Sequence, residues 1–380
     1  MSRICIFIES LKLGGAEKQS LLLAKVLKNE HRIFVTVLRG ECPEERFTRL
    51  IKQQEIELFV LKGNPLRKLL DFTSLLKEKR VDIIFCYLAS NNLYGAIAGK
   101  LSGVPHVIGG IRNSVIAPHK LAIQRFLHNN LLYATIFNNY SGKLCLVSQG
   151  FKEEKSYVIS NGIELGTPIL ERTQKPTINL ITISRFVPQK DHLTAIKAFH
   201  YLVNELLEDS LDVRYRIVGY GELEREIRNR IEELNLGDRV SVIINPENKW
   251  DYLKDSDIYL STSLFEGISN SILEAMSYAL PIVATNVGDN SFLVEDGVTG
   301  YLCEVGHYEQ IVKKLRALIL NPKLRQEMGV RSYWKLKDNF AVDAFKRSYV
   351  DFINQLPFVD QNACASASSW NQRVARELGR

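Results

Sequence analysis

Short apolar runs alternate along this chain with longer stretches of helical period. Residues 4–8 are apolar, the turn Leu13-Gly14-Gly15-Ala16-Glu17 follows, and residues 20–27 are amphipathic, an order that predicts strand, loop and helix. Apolar runs return at helix-sized intervals at 33–38, 56–61, 81–87 and 104–108. They are continuous rather than alternating, which suits strands of a parallel sheet covered on both faces by helices. Residues 1 to about 160 therefore predict one doubly wound α/β domain.

The scheme then repeats. The stretch Glu164-Leu165-Gly166-Thr167-Pro168 and the polar residues 171–176 read as a linker. Strands are predicted at 178–184, 213–219, 240–244, 257–261 and 281–285, with helices between them such as 222–234, where charged and aliphatic residues keep a period near 3.6. From Tyr308 to Leu356 the pattern is helical, and the residues after Asp360 have little to bury and predict a disordered tail. The expected division is 1–165, 166–340, a helix at 341–358 packing back on the first domain, and a tail at 359–380. Two open parallel sheets in tandem bind ligands at the carboxyl ends of their strands, so a shared cleft is expected.

Composition fits such a chain: 380 residues, 46% apolar and 24% charged, exclude a disordered or collagen-like polymer. The net charge of +6 is unevenly spread. Residues 1–150 hold 21 Lys and Arg against 11 Asp and Glu, giving +10, whereas residues 151–380 hold 28 against 32, giving −4. No Asp or Glu occurs from Ile83 to Lys152, a stretch that contains Lys100, Arg112, Lys120, Arg125, Lys143 and Lys152. A surface built from it would attract phosphates or an anionic membrane. The first residues lack the apolar core of a signal peptide, and no run approaches the ~20 apolar residues that cross a bilayer. The expectation is a cytoplasmic protein, at most peripheral on the inner face of the cytoplasmic membrane. The six cysteines are scattered without CxxC or metal-ligand spacing, so they read as reduced and mostly buried.

Chemistry concentrates in two segments. The first is Phe265-Glu266-Gly267-Ile268-Ser269-Asn270-Ser271-Ile272-Leu273-Glu274, after a predicted strand. Ser269 and Asn270 favour the start of a helix, which puts Glu266 in the loop and Glu274 inside the helix. Backbone N–H groups at 267–270 and two carboxylates suit a hydroxyl-rich or phosphorylated ligand. Spacing alone leaves open whether Glu274 is an ordinary solvated helix residue. The second segment, Ser184-Arg185-Phe186-Val187-Pro188-Gln189-Lys190-Asp191, supplies two cations at a strand end, a planar fork and a point charge for phosphate oxygens.

Residues 266–284, EGISNSILEAMSYALPIVA, resemble the EGxxNxxLEAMAxGxPVVA pattern of glycosyltransferase family 4. Gly14-Gly15-Ala16-Glu17, Val158-Ile159-Ser160-Asn161-Gly162-Ile163, Ile217-Val218-Gly219-Tyr220-Gly221, Asn286-Val287-Gly288-Asp289-Asn290 and Asp296-Gly297-Val298-Thr299-Gly300-Tyr301-Leu302 are similar to further runs of that family, so the likeness spans the chain to about Gln355. It implies the GT-B fold, two facing Rossmann-like domains with a C-terminal helical segment. It also implies a retaining, metal-independent glycosyltransferase that moves a sugar from a nucleotide-diphosphate donor, probed first as a UDP-sugar, to a cell-surface glycan or a polyprenyl-diphosphate-linked precursor. No bound cofactor and no nucleic acid partner are expected.

Carried over by position, the likeness implies that Arg185 and Lys190 hold the diphosphate. Glu266 and the amides of Ile268, Ser269 and Asn270, next to Gly267, would hold the transferred sugar, and Glu274 the ribose. Gly14 and Gly15 would let a loop approach the phosphates. Many members place a His after the fourth strand of the first domain; here Arg112 and Asn113 fall there, and they are candidates for an acceptor phosphate. His106, His119 and His128 do not match that place.

A dehydrogenase predicts GxGxxG after the first strand, which residues 10–17 lack, and a P-loop predicts GxxxxGK[ST], whereas Gly95, Gly99 and Lys100 have the wrong spacing. The alternative that stays open is a family member that binds a nucleotide sugar without turnover. A double displacement would want a carboxylate nucleophile, and the first domain offers none from 83 to 152.

Overall fold

The computed structural model describes all residues except 13, 41–44, 113–115, 167, 169, 172–174, 207–210 and 358–380, and the side chain of Arg46. The predicted tail at 359–380 and the candidate Asn113 lie outside the described residues. In chain order the first half holds β1 (Arg3–Ile8), α1 (Gly15–Leu27), β2 (Arg32–Val37), α2 (Glu45–Gln53), β3 (Glu57–Val60), α3 (Pro65–Glu78), β4 (Ile83–Cys86), α4 (Ala89–Ser102), β5 (His106–Ile111), α5 (Pro118–Phe126), β6 (Ala134–Phe137), α6 (Tyr140–Ser148) and β7 (Ser156–Val158). The second holds β8 (Thr177–Arg185), α7 (His192–Glu205), β9 (Asp212–Tyr220), α8 (Glu224–Glu233), β10 (Val240–Ile244), α9 (Lys249–Lys254), β11 (Ile258–Ser261), α10 (Asn270–Met276), β12 (Ile282–Thr285), α11 (Asn290–Leu293) and β13 (Gly300–Cys303). The helices α12 (Tyr308–Leu320), α13 (Pro322–Asn339) and α14 (Val342–Asn354) follow.

The chain divides into two compact units. One comprises Met1–Gly110, Ala122–Thr135 and the described residues from Lys346 onward. In it β3, β2, β1, β4 and β5 run side by side in that order, all parallel, with Ile4 opposite both Ile33 and Ile83. The strands β1, β4 and β5 are buried along nearly their whole length, which explains their unbroken apolar runs. Gly95 and Gly99 bring α4 close to the sheet, since a Cβ at either would overlap Cys86 or Val107. These glycines serve packing, in agreement with the failed P-loop spacing. Tyr349 and Phe352 of α14 pack on Phe85, with ring centroids 5.5 and 6.4 Å apart.

The other unit comprises Ile111–Leu121 and Ile136–Phe345. Its six-stranded sheet has the order β10-β9-β8-β11-β12-β13, with every neighbouring pair parallel. Sequence order reverses between β8 and β11, which leaves their carboxyl ends as neighbours. Phe186, Phe199 and Tyr215 are fully buried on one face, and Tyr259, Leu273 and Met276 on the other. Each such side chain contributes about 2 kcal/mol by the area it removes from water. The long helical stretch is broken where Asn321 caps α13 and Pro322 opens it, and again at Phe340, whose carbonyl accepts from the Ile163 N–H.

Cys5, Cys86 and Cys303 are buried free thiols and Cys145 is half-buried. Burial raises the Cys5 thiol to about 12 and Cys303 to about 11, so neither is a ready nucleophile.

Candidate active site

The strand β8 ends at the exposed Arg185, and the buried Phe186 then anchors the chain to the core. A single 3-10 turn, Pro188–Lys190, follows. It stops at Asp191, whose φ of 45° lies in the left-handed region and whose carboxylate caps α7 by accepting from the Thr194 N–H at 3.3 Å. That geometry projects Lys190 toward the loop after β11. The two loops are laced together: Gln189 donates to the Phe265 carbonyl at 2.8 Å, the Leu264 N–H donates to the Gln189 carbonyl at 2.8 Å, and Thr262 donates to the Asp191 carbonyl at 2.8 Å.

Lys190 forms a direct ion pair with Glu266, the two side chains being 15% and 8% exposed. Ser263 donates to the same carboxylate oxygen at 2.8 Å. Glu266 and Gly267 are backed by Gly288, where φ is 52° and any Cβ would overlap the Glu266 carbonyl. The Asp289 N–H donates to the Gly267 carbonyl at 3.1 Å, and Thr285 donates to the Ser263 carbonyl at 2.6 Å. Ser269 is the N-cap of α10, accepting from the Ile272 N–H at 3.5 Å, so Ile268 and the exposed Asn270 flank the helix start as predicted.

Glu274 is not a solvated helix residue. Its side chain is 7% exposed and pairs with Lys249 at 2.6 Å. Beneath Arg185 and Lys190 lies His192, fully buried, with Nε2 at 3.0 Å from Ser184 Oγ and 3.2 Å from the Arg185 carbonyl. Burial drives its pKa down to about 4, and the Lys190 charge acts in the same direction.

Arg112 donates to Asn161 Oδ1 at 2.8 Å, and Asn161 donates to Asn270 Oδ1 at 3.0 Å. The candidate acceptor cation is thus tied through one buried amide to the first residue of α10. Asp289, also buried, accepts from the Tyr140 and Ser141 N–H groups at 2.6 and 2.8 Å and so holds the start of α6. In the other unit Gly14 caps α1 with extended backbone, and Gly15 opens that helix. A Cβ at Gly14 would overlap the Glu17 carboxylate, so its missing side chain makes room for Glu17. His128 is buried against Thr135 at 2.8 Å, and His106 meets the Pro357 carbonyl at 3.0 Å; both have structural partners.

The second unit therefore gathers Arg185, Lys190, Glu266, Gly267, Ile268, Ser269, Asn270 and Glu274 at the carboxyl ends of β8 and β11 and the start of α10. Sequence reasoning missed Lys249, Asn161 and Asp289. Asn161 and Asp289 stand in runs similar to the family's but were given no role, and Lys249 is found only by its contact, because no spacing along the chain marks it. Chemically, the arrangement offers the exposed Arg185 guanidinium and two carboxylates able to accept hydroxyl donors, each already paired with one ammonium.

Residues 170–333 match the family model described as glycosyl transferases group 1. An Escherichia coli relative, the UDP-Gal:alpha-D-GlcNAc-diphosphoundecaprenol alpha-1,3-galactosyltransferase, is 26% identical over 76% of this chain and 80% of its own length. A Campylobacter jejuni relative, the N-acetylgalactosamine-N,N'-diacetylbacillosaminyl-diphospho-undecaprenol 4-alpha-N-acetylgalactosaminyltransferase, is 25% identical over 86% of this chain and 92% of its own. Among solved structures, Anabaena HepE in complex with UDP is similar with a TM-score of 0.81 at 20% identity, over 94% of this chain and all of that one. The two parallel-sheet units thus have the GT-B architecture anticipated from the sequence.

Proposed function

We propose that this chain, whose residues 170–333 match the glycosyl transferases group 1 model, transfers a sugar, with retention of configuration, from a UDP-sugar to a hydroxyl of a polyprenyl-diphosphate-linked glycan precursor. The observation that carries the reading is the Lys190–Glu266 pair beside Arg185, on two neighbouring strand ends. The names of the E. coli and C. jejuni relatives include undecaprenol-linked acceptors, the former with UDP-Gal as donor, and HepE was solved with UDP.

In this reading Arg185 takes diphosphate oxygens bidentately and Lys190 bridges the same diphosphate and Glu266. Glu266, with the amides of Ile268, Ser269 and Asn270, accepts and donates at the hydroxyls of the transferred sugar, and Glu274 accepts from the ribose. The bond from the anomeric carbon to the diphosphate oxygen breaks as the bond to the acceptor oxygen forms on the same face. The acceptor proton passes to the departing diphosphate oxygen. Arg185 and Lys190 stabilise the charge that develops there, the duty a divalent cation performs in other transferases.

Among the described residues no helix is long and apolar enough to cross a membrane. Ile123 and Phe126 are exposed on α5, a helix without acidic residues that also carries Lys120. That surface suits peripheral contact with the anionic membrane in which a polyprenyl acceptor resides.

The test is incubation with a panel of UDP-sugars and a polyprenyl-diphosphate-linked GlcNAc acceptor, with the product anomer read by NMR and a parallel reaction in EDTA. An α-linked product from an α-linked donor, formed at the same rate in EDTA, is expected. A β-linked product rejects retention, a rate lost in EDTA rejects the metal-independent step, and tight UDP-sugar binding without any transfer favours the non-catalytic alternative.

A further inference from the structure

A carboxylate as covered as that of Glu274 needs donors, and its choice of donor fixes where its free oxygen points. Lys249 Nζ holds Oε2 at 2.6 Å, while the structure gives Oε1 no donor among the described residues. Lys249 is itself held. It opens α9, a helix capped by Asn248, which accepts from the Trp250 N–H at 3.2 Å. Its ammonium lies 4.9 Å from the centre of the Trp250 ring, and that ring stacks on Tyr278, centroids 6.0 Å apart and planes 24° apart. Tyr278 follows the end of α10, so the stack braces α9 against the helix that carries Glu274. The Lys249 side chain remains 37% exposed, which leaves the pair open to solvent on one side.

We propose that Lys249 is a positioning residue for nucleotide recognition: by occupying one oxygen of Glu274 it aims the other at a ribose hydroxyl of the donor. The inference rests on the reading of Glu274 as the ribose partner, and extends it to a residue that no sequence motif marks. Its consequence is specific. Discrimination between a ribonucleotide and its 2′,3′-dideoxy analogue depends on Lys249 although Lys249 touches neither hydroxyl.

Calorimetric binding of UDP and of 2′,3′-dideoxy-UDP to the full chain tests this, together with donor KM and kcat. Lys249→Met is expected to weaken UDP about tenfold, leave 2′,3′-dideoxy-UDP unchanged, and raise KM with kcat at saturating donor within twofold. Lys249→Arg should recover most of the loss. The Lys249→Met, Glu274→Ala double variant should bind UDP no more weakly than Glu274→Ala alone. Should Lys249→Met not fold, Lys249→Ala, which likewise removes the donor to Glu274, takes its place with the same expectation. Unchanged UDP binding in the Lys249 variants beside a weakened Glu274→Ala overturns the role of Lys249 alone. Equal weakening of both nucleotides also overturns it. Unchanged UDP binding in Glu274→Ala overturns the ribose reading, and the inference with it.

Discussion

The Lys190 ammonium rests directly on the Glu266 carboxylate, joining residues 76 positions apart at the ends of the paired strands β8 and β11. Both side chains are largely covered, so each is the other's principal compensation for lost hydration.

Removing one partner of such a pair strands the other. Lys190→Ala is expected to lower turnover at least a hundredfold, the order seen when one preorganised charge-stabilising group is lost, and to cost roughly 1–3 kcal/mol of stability. The Lys190→Ala, Glu266→Ala double variant should regain most of the stability and none of the turnover. Thermal melting and initial-rate assays on the three proteins check this. A double variant that melts as low as Lys190→Ala removes the pair as the cause of the lost stability.

The buried imidazole of His192 gives a pH dependence with a definite sign. Desolvation keeps it neutral in the fold down to about pH 4, whereas in the unfolded chain it takes up a proton near its ordinary pKa of 6.5. Below pH 6.5 the unfolded state therefore binds more protons, and stability falls with pH until about 4, where the loss levels off. The full loss is of the order of 3 kcal/mol. Melting temperatures of the wild type and His192→Gln should diverge between pH 6.5 and 5, the wild type falling more steeply; parallel curves would remove His192 as the cause.

Gly288 holds the loop that carries Glu266 and Gly267 from behind. Its φ of 52° is open to a few other residues, but a methyl group there would overlap the Glu266 carbonyl. Gly288→Ala must displace Glu266 and Gly267 or the backbone of 288 itself. A fall in kcat/KM of tenfold or more is expected, with the melting temperature lowered by several degrees. Unaltered kinetics would mean that the loop absorbs the methyl group elsewhere.

Much of the fold was legible because it is local. The apolar runs at 33–38, 56–61 and 178–184 coincide with β2, β3 and β8 to within a residue, and the period at 222–234 marks α8. The four-residue strands β6 and β13 gave no separate signal. Ala134–Phe137 has only three apolar residues, and Gly300–Cys303 was read as part of a motif rather than as a strand. The site was legible to the same extent: residues 266–274 stand together in the chain, so one stretch of sequence displays both carboxylates and the glycine between them.

By itself the sequence determined the two α/β repeats and the segment similar to group 1 glycosyl transferases, since hydrophobic period, turn residues and contiguous motifs are all short-range properties. Only the tertiary structure decided which charges are partners. Strand order sets β8 beside β11 and brings Lys190 to Glu266, α9 carries Lys249 to Glu274, and Asn161 bridges Arg112 to Asn270. These choices follow from desolvation: a carboxylate removed from water takes the nearest donor that the packed core presents, and nearness in the fold is not written as spacing along the chain.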